Sequence, residues 1–114
     1  MMMLKDSTGK TLACSIAVAD SFWKRAKGLL GRKSVELDEG LLLVNCSSVH
    51  MIGMRTPLDV LFLDENYSVL SLRERLSPFK TASHKSAKHT LELAAGAAHK
   101  YGINVGDRIR LEVI

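Results

Sequence analysis

The sequence predicts a mainly β protein, a compact β-sandwich or barrel-like domain with one or two short helices. Short apolar runs with two-residue alternation recur along the chain, the period of half-buried strands. Turn clusters such as Asp64-Glu65-Asn66 and Asn104-Val105-Gly106-Asp107 separate them. Strands do not alternate with long helical patterns, which argues against a parallel α/β sheet. At 114 residues the chain has room for one core, so residues 1–114 are expected to form a single domain without an internal repeat or linker.

The elements follow from local pattern. Leu12, Cys14, Ile16 and Val18 alternate with smaller residues and predict a strand. Asp20 or Ser21 is placed to cap a short helix that Gly31 would stop. Its stripe is Phe22, Ala26, Leu29 and Leu30, and Lys24, Arg25 and Lys27 take the other faces. Leu41 to Val44 is wholly apolar, as expected of a strand covered on both sides. Val49 to Met54 reads as extended until Thr56-Pro57 interrupts it. Leu58 to Leu63 and Val69 to Leu72 read as a hairpin about the Asp64 turn. Ser77 to Thr90 is polar and aperiodic and reads as a loop. Thr90 to Leu93 is a short strand, and Ala94 to Tyr101 is too small and glycine-broken for a long helix. Ile109, Leu111 and Val113 alternate with Arg108, Arg110 and Glu112, which predicts a last strand with one wet face.

Composition narrows the class. An apolar fraction of 46% with 25% charged residues is that of a globular chain and excludes disorder and collagen-like order. Two cysteines do not make the framework of a disulfide-stapled secreted domain, and both are expected to be reduced thiols. Met1 to Leu4 runs straight into Lys5-Asp6, short of the roughly 7–15 apolar residues of a signal core. No run approaches the ~20 residues of a membrane span. The expectation is a soluble cytoplasmic protein. The formal charge is +4, with much of the excess between Arg73 and Thr90, where five Lys and Arg face one Glu. Lys80, Lys85 and Lys88 in this loop form a candidate anion patch. With only Phe79 to stack on bases, they support nucleic-acid binding weakly.

Gly28-Leu29-Leu30-Gly31-Arg32, Glu39-Gly40-Leu41-Leu42-Leu43 and Cys46-Ser47-Ser48-Val49-His50 occur in a recognisable order. They lead into Met54-Arg55-Thr56-Pro57-Leu58-Asp59-Val60-Leu61-Phe62-Leu63-Asp64, then Leu91-Glu92-Leu93-Ala94-Ala95-Gly96 and Gly102-Ile103-Asn104-Val105-Gly106-Asp107. Across about residues 20 to 110 the chain resembles the family called domain of unknown function 192. The resemblance implies a compact β-sandwich-like fold with short helices and implies no activity. The Cys-x-Ser-x-His segment resembles one branch of that family.

Candidate chemistry centres on residues 46–59. Asp59 stands inside an apolar run, where a carboxylate needs a partner or turns toward its neutral form. It either fixes a turn, alone or with Arg55, or anchors a ligand. Ser48, His50, Met54, Arg55 and Asp59 are the candidate ligand site, with Arg55 offering planar hydrogen bonds to an anion. Cys46 is a candidate reactive thiol. In an extended chain it lies about 13 Å from His50, so chemistry by that pair would require a turn at Ser47-Ser48. Otherwise Cys46 is a core thiol and His50 a hydrogen-bonded histidine. No Cys-x-x-Cys, His-Glu-x-x-His or phosphate-cradling glycine loop occurs, and no metal or cofactor is expected. Gly28-Leu29-Leu30-Gly31 matches the Gly-x-x-Gly of KH RNA-binding loops only formally, because its leucines suit a core. The reading is a small binding or accessory protein for an unknown small anionic ligand or protein partner. The alternatives are an enzyme using Cys46 or His50 and a weak nucleic-acid or anion binder through residues 73–90.

Overall fold

The computed structural model describes residues 1–21, 29 and 32–113, with Cys14 described through its backbone only. Nine strands run in the order β1 Met2–Lys5, β2 Thr11–Ala19, β3 Glu39–Leu43, β4 Ser48–His50, β5 Leu58–Leu63, β6 Val69–Leu76, β7 Thr81–Ser83, β8 His89–Ala94 and β9 Arg110–Val113. A single turn of helix, α1 Ala97–Lys100, follows β8. Seven strands form one sheet in the order β6-β5-β8-β3-β2-β1-β9, and β4 pairs with β7 in a separate ribbon. The protein is mainly β, a sheet curled into a half-barrel, as the alternation and turn clusters predict.

Curling brings the outermost strands, β6 and β9, together at one corner. The backbone there exchanges three hydrogen bonds: Val69 N–H to Asp107 O at 2.8 Å, Gly106 N–H to Val69 O at 2.8 Å and Ile109 N–H to Tyr67 O at 3.0 Å. Ser68 and Arg108 form the bridge between them. The predicted turns make this corner. Asp64 accepts from the N–H groups of Asn66 and Ser68, and Asp107 accepts from that of Asn104.

Strand alternation sorts the apolar residues into two cores, one on each face. Leu61 and Leu63 of β5 point inward with Leu42, Leu91 and Leu93. Leu58, Val60 and Phe62 point outward with Leu41 and Leu43, under Val49, Met51, Met54 and Ala82 of the β4–β7 ribbon and its loops. All six residues of β5 and of β8 are therefore buried, which is why β5 reads as an apolar run broken only by Asp59. Gly40 marks the tightest crossing, because a Cβ there would lie 2.6 Å from Leu93 Cδ2 and 2.8 Å from Ile16 Cδ1.

Four local expectations change. Extended structure predicted to Met54 stops at His50, where Met54 N–H bonds to Met51 O in a turn. The expected loop 77–90 contains β7, because Ala82 supplies an apolar contact in an otherwise polar stretch. Met2–Lys5 is a paired strand between β2 and β9 that nothing in its short, non-alternating sequence announces. β2 and β3 pair in parallel, the one such pair among the described strands. The predicted helix between Ser21 and Gly31, and with it the Gly-x-x-Gly match, lies outside the described residues apart from Ser21 and Leu29.

Candidate functional site

The structure separates the five candidate ligand residues by depth. Ser48 and His50 flank buried Val49 on β4 and are exposed, as is Arg55 in the following loop. Met54 is buried in the outer core. Asp59 is fully buried at 0% exposure and stands opposite Leu93, on the inward side of β5. Ser48, His50 and Arg55 thus share the outer surface, whereas Asp59 faces the other way.

Asp59 is saturated by backbone donors. Its Oδ1 accepts from Arg75 N–H at 2.8 Å, and Oδ2 accepts from Gly96 N–H at 3.1 Å and Ala98 N–H at 3.0 Å. The Arg75 contact depends on a register shift between β5 and β6, where Arg75 adopts φ 52° and turns its N–H toward the carboxylate. The Gly96 contact uses a glycine at φ 92° ahead of α1. Asp59 therefore ties β5, the β6 bulge and the start of α1 together, and it does not pair with Arg55. This is the turn-fixing role weighed for it from sequence, with backbone amides in place of Arg55.

Cys46 carries a free, half-buried thiol that donates to Ser48 O at 3.0 Å. His50 makes no hydrogen bond to it; its backbone pairs with Thr81 across the ribbon. Lys80, Lys85 and Lys88 are all exposed. Lys88 shares a shallow groove with Asp64 and Glu65, which dilutes the positive field there. Lys80 and Lys85 lie before and after β7.

Two further groups are more unusual: Glu92, which sequence reasoning passed over, and His89, which the expected polar loop 77–90 would have left in solvent. Glu92 in β8 is only 6% exposed, set on the outward face between Val60 and Leu41. No hydrogen bond or ion pair reaches it among the described residues, and burial pushes its carboxyl up to about 7. Its signal was present in Leu91-Glu92-Leu93, a charged residue alternating with leucines. That pattern reads equally as a wet strand face until both faces of β8 are known to be covered. His89 is buried with Nδ1 accepting from Asn45 N–H at 3.1 Å and its ring stacked on Tyr67 at 5.3 Å. Burial, with Lys88 nearby, holds its pKa below the usual histidine value, as the accepting nitrogen requires. No cluster of three or more potential metal ligands occurs among the described residues.

The last surface feature is a tip of two cross-linked loops. Met51 N–H bonds to Lys80 O at 2.8 Å and Phe79 N–H bonds to Met51 O at 3.0 Å, so the loops after β4 and before β7 extend the ribbon. Ile52 is 63% exposed and Phe79 is 74% exposed on this tip, and Arg55 and Lys80 of the same two loops are exposed as well. Phe79 sits at φ 71°, a left-handed conformation uncommon for a side chain of its size.

A small curled β sheet with a saturated internal aspartate and a ribbon strapped over one face defines a class by architecture alone. The chain belongs to the family DUF192, described as uncharacterized ACR, whose model matches residues 3–111. It is 32% identical to a UPF0127 protein of Pyrococcus furiosus over 94% of this chain and 95% of that one. A UPF0127 protein of Thermococcus sibiricus is 30% identical over 98% of this chain and 75% of the relative. Among solved structures, a "putative transcription regulator" from Sinorhizobium meliloti 1021 superposes with a TM-score of 0.83 at 24% identity, covering 96% of this chain and 91% of that one. That likeness establishes the fold. No helix of the described residues is long and apolar enough to cross a membrane.

Proposed function

We propose that the protein is a binding module that docks a protein partner through the Ile52–Phe79 tip. The observation that carries this reading is two large apolar side chains exposed on two loops that backbone hydrogen bonds tie together. Single exposed hydrophobics are ordinary, but such a pair rimmed by charge has the composition of an interaction site. The left-handed backbone at Phe79 supports it, since strain at an exposed position is retained where function needs the side chain held out. Arg55, Lys80 and His50 make the rim cationic or polar, so the partner is an apolar pocket with an acidic border.

The test places a photo-crosslinking amino acid at Phe79 in cells that make the protein and identifies adducts by mass spectrometry. The expected result is one dominant adduct with a protein whose contact surface is acidic, lost in Ile52→Ser and weakened in Lys80→Glu. No adduct, or one indifferent to both substitutions, overturns the proposal.

A second reading is association with nucleic acid through exposed Lys80 and Lys85. Binding that weakens steeply with salt and disappears in Lys80→Glu/Lys85→Glu would favour it. Binding unchanged in that double variant would remove it.

A further inference from the structure

We propose that the cleft at the corner where β9 meets the Asn66–Tyr67 turn binds a small organic anion, a ring-bearing carboxylate or phosphate held by Arg108 and Arg110. The cleft has a volume of about 510 Å³, within the range of small-molecule sites. Ser7, Asn66, Tyr67 and residues 108–112 line it. It exists because the curled sheet closes only at the Ser68–Arg108 bridge. Beyond Ile109, β9 diverges from β6 and leaves one strand edge open. A second cleft of about 210 Å³ adjoins it and shares Ser7, Arg108 and Ile109.

The polar groups suit an oxyanion. Arg108 donates Nε–H to Asn66 O at 3.0 Å, which fixes the guanidinium while its terminal N–H groups keep no partner among the described residues. Such a pre-set fork is the group best matched to a carboxylate or phosphate. Arg110 opens β9 two residues on and lines the same cleft, and its ion pair with Glu112 is long, at 3.7 Å, with no hydrogen bond. The one carboxylate lining the cleft is that of Glu112, and Lys5 Nζ at 3.1 Å neutralises it. The apolar part of the ligand would meet Tyr67, whose ring is already held by stacking on His89, and Leu111. The Tyr67 hydroxyl and Ser7 hydroxyl have no partner among the described residues and offer two further donors.

The experiment follows backbone amide NMR signals of the whole chain during titration with phenyl phosphate, benzoate and inorganic phosphate. The expected result is saturable shifts at Tyr67, Arg108 and Leu111 with at least one ring-bearing anion, at concentrations up to about 10 mM. Tighter binding of phenyl phosphate identifies a phosphate ligand and tighter binding of benzoate a carboxylate. Arg110→Gln, which breaks no hydrogen bond of the fold, should weaken that binding about ten-fold. Arg108→Gln should do at least as much, and Lys85→Glu should leave it unchanged. Absence of saturable shifts with both ring-bearing anions, or equal affinity in Arg110→Gln, overturns the proposal.

Discussion

Replacing Glu92 by glutamine should remove the loss of stability that a buried carboxyl imposes as the pH rises through the neutral range. The carboxyl is buried between Val60 and Leu41 with no hydrogen bond or ion pair among the described residues, and its pKa rises from 4.5 to about 7. The folded state therefore holds the proton more tightly than the unfolded state does. The stability this confers is complete below pH 4.5 and is lost as the pH rises through 7. A difference of that size corresponds to roughly 3 kcal/mol once both states are ionised, most of it lost between pH 5 and pH 8. For a domain of this length that is about 10 °C in melting temperature. Burial holds the pKa of His89 below its usual value, so its contribution runs the other way and fades as the pH falls. The difference between wild type and Glu92→Gln at each pH cancels His89 and isolates the carboxyl. Urea unfolding followed by circular dichroism at pH 5, 6, 7 and 8 gives the measurement. The gap should be small at pH 5 and should favour glutamine by about 3 kcal/mol at pH 8. A gap that stays constant within about 0.5 kcal/mol would refute the reasoning, because it would mean that the carboxyl is solvated or paired in solution.

Asp59→Asn should destabilise the protein by about 2–4 kcal/mol, since the amide keeps one acceptor oxygen and turns its NH2 toward backbone N–H that the other carboxylate oxygen now serves. Chemical denaturation checks the loss, and a cost under about 0.5 kcal/mol would mean the three bonds are not made. Gly40→Ala should cost about 1–3 kcal/mol, because the new Cβ collides with Leu93 and Ile16 side chains and, at 2.8 Å, with Glu92 O. Thermal melts measure it, and an unchanged melting temperature would show that β3 and β8 are less closely packed. Ile52→Ser/Phe79→Ser should leave stability within about 0.5 kcal/mol of wild type, since neither side chain is buried. A large loss would make the tip part of the core.

The fold was legible where pattern and environment coincide. β5 announces itself because both its faces are covered, so a run from Leu58 to Leu63 that is apolar but for Asp59 has one reading. β3 is legible for the same reason. β7 was hidden because an exposed three-residue strand carries one apolar residue, Ala82, and three residues cannot display a period. β1 was hidden because its partners, β2 and β9, lie far along the chain and its own residues do not alternate. The candidate site was half legible. The position of Asp59 in an apolar run correctly marked it as a carboxylate needing partners. Those partners are backbone amides 16 to 39 residues away, which carry no side-chain signal. Arg108 and Arg110 looked like the wet face of a terminal strand, and only the curl of the sheet brings Tyr67 and Asn66 across from them.

The same curl determines how the two proposed surfaces relate. The tip joins the sheet at the end of the β5–β6 hairpin where Leu58 faces Leu76, and the cleft lies at the other end, where Leu63 faces Val69. Leu58 and Leu63 stand five steps apart along β5, about 17 Å at the rise of a β-strand. Between them run buried residues and the bonds of Asp59, none of which involves Phe79 or Arg110. Sites so far apart without a shared partner should perturb one another by less than about 0.5 kcal/mol. Phe79→Ser should therefore leave anion affinity unchanged, and Arg110→Gln should leave partner crosslinking from position 79 unchanged. If Phe79→Ser weakens phenyl phosphate binding as much as Arg110→Gln does, the hairpin is not a rigid spacer and the two surfaces act as one site.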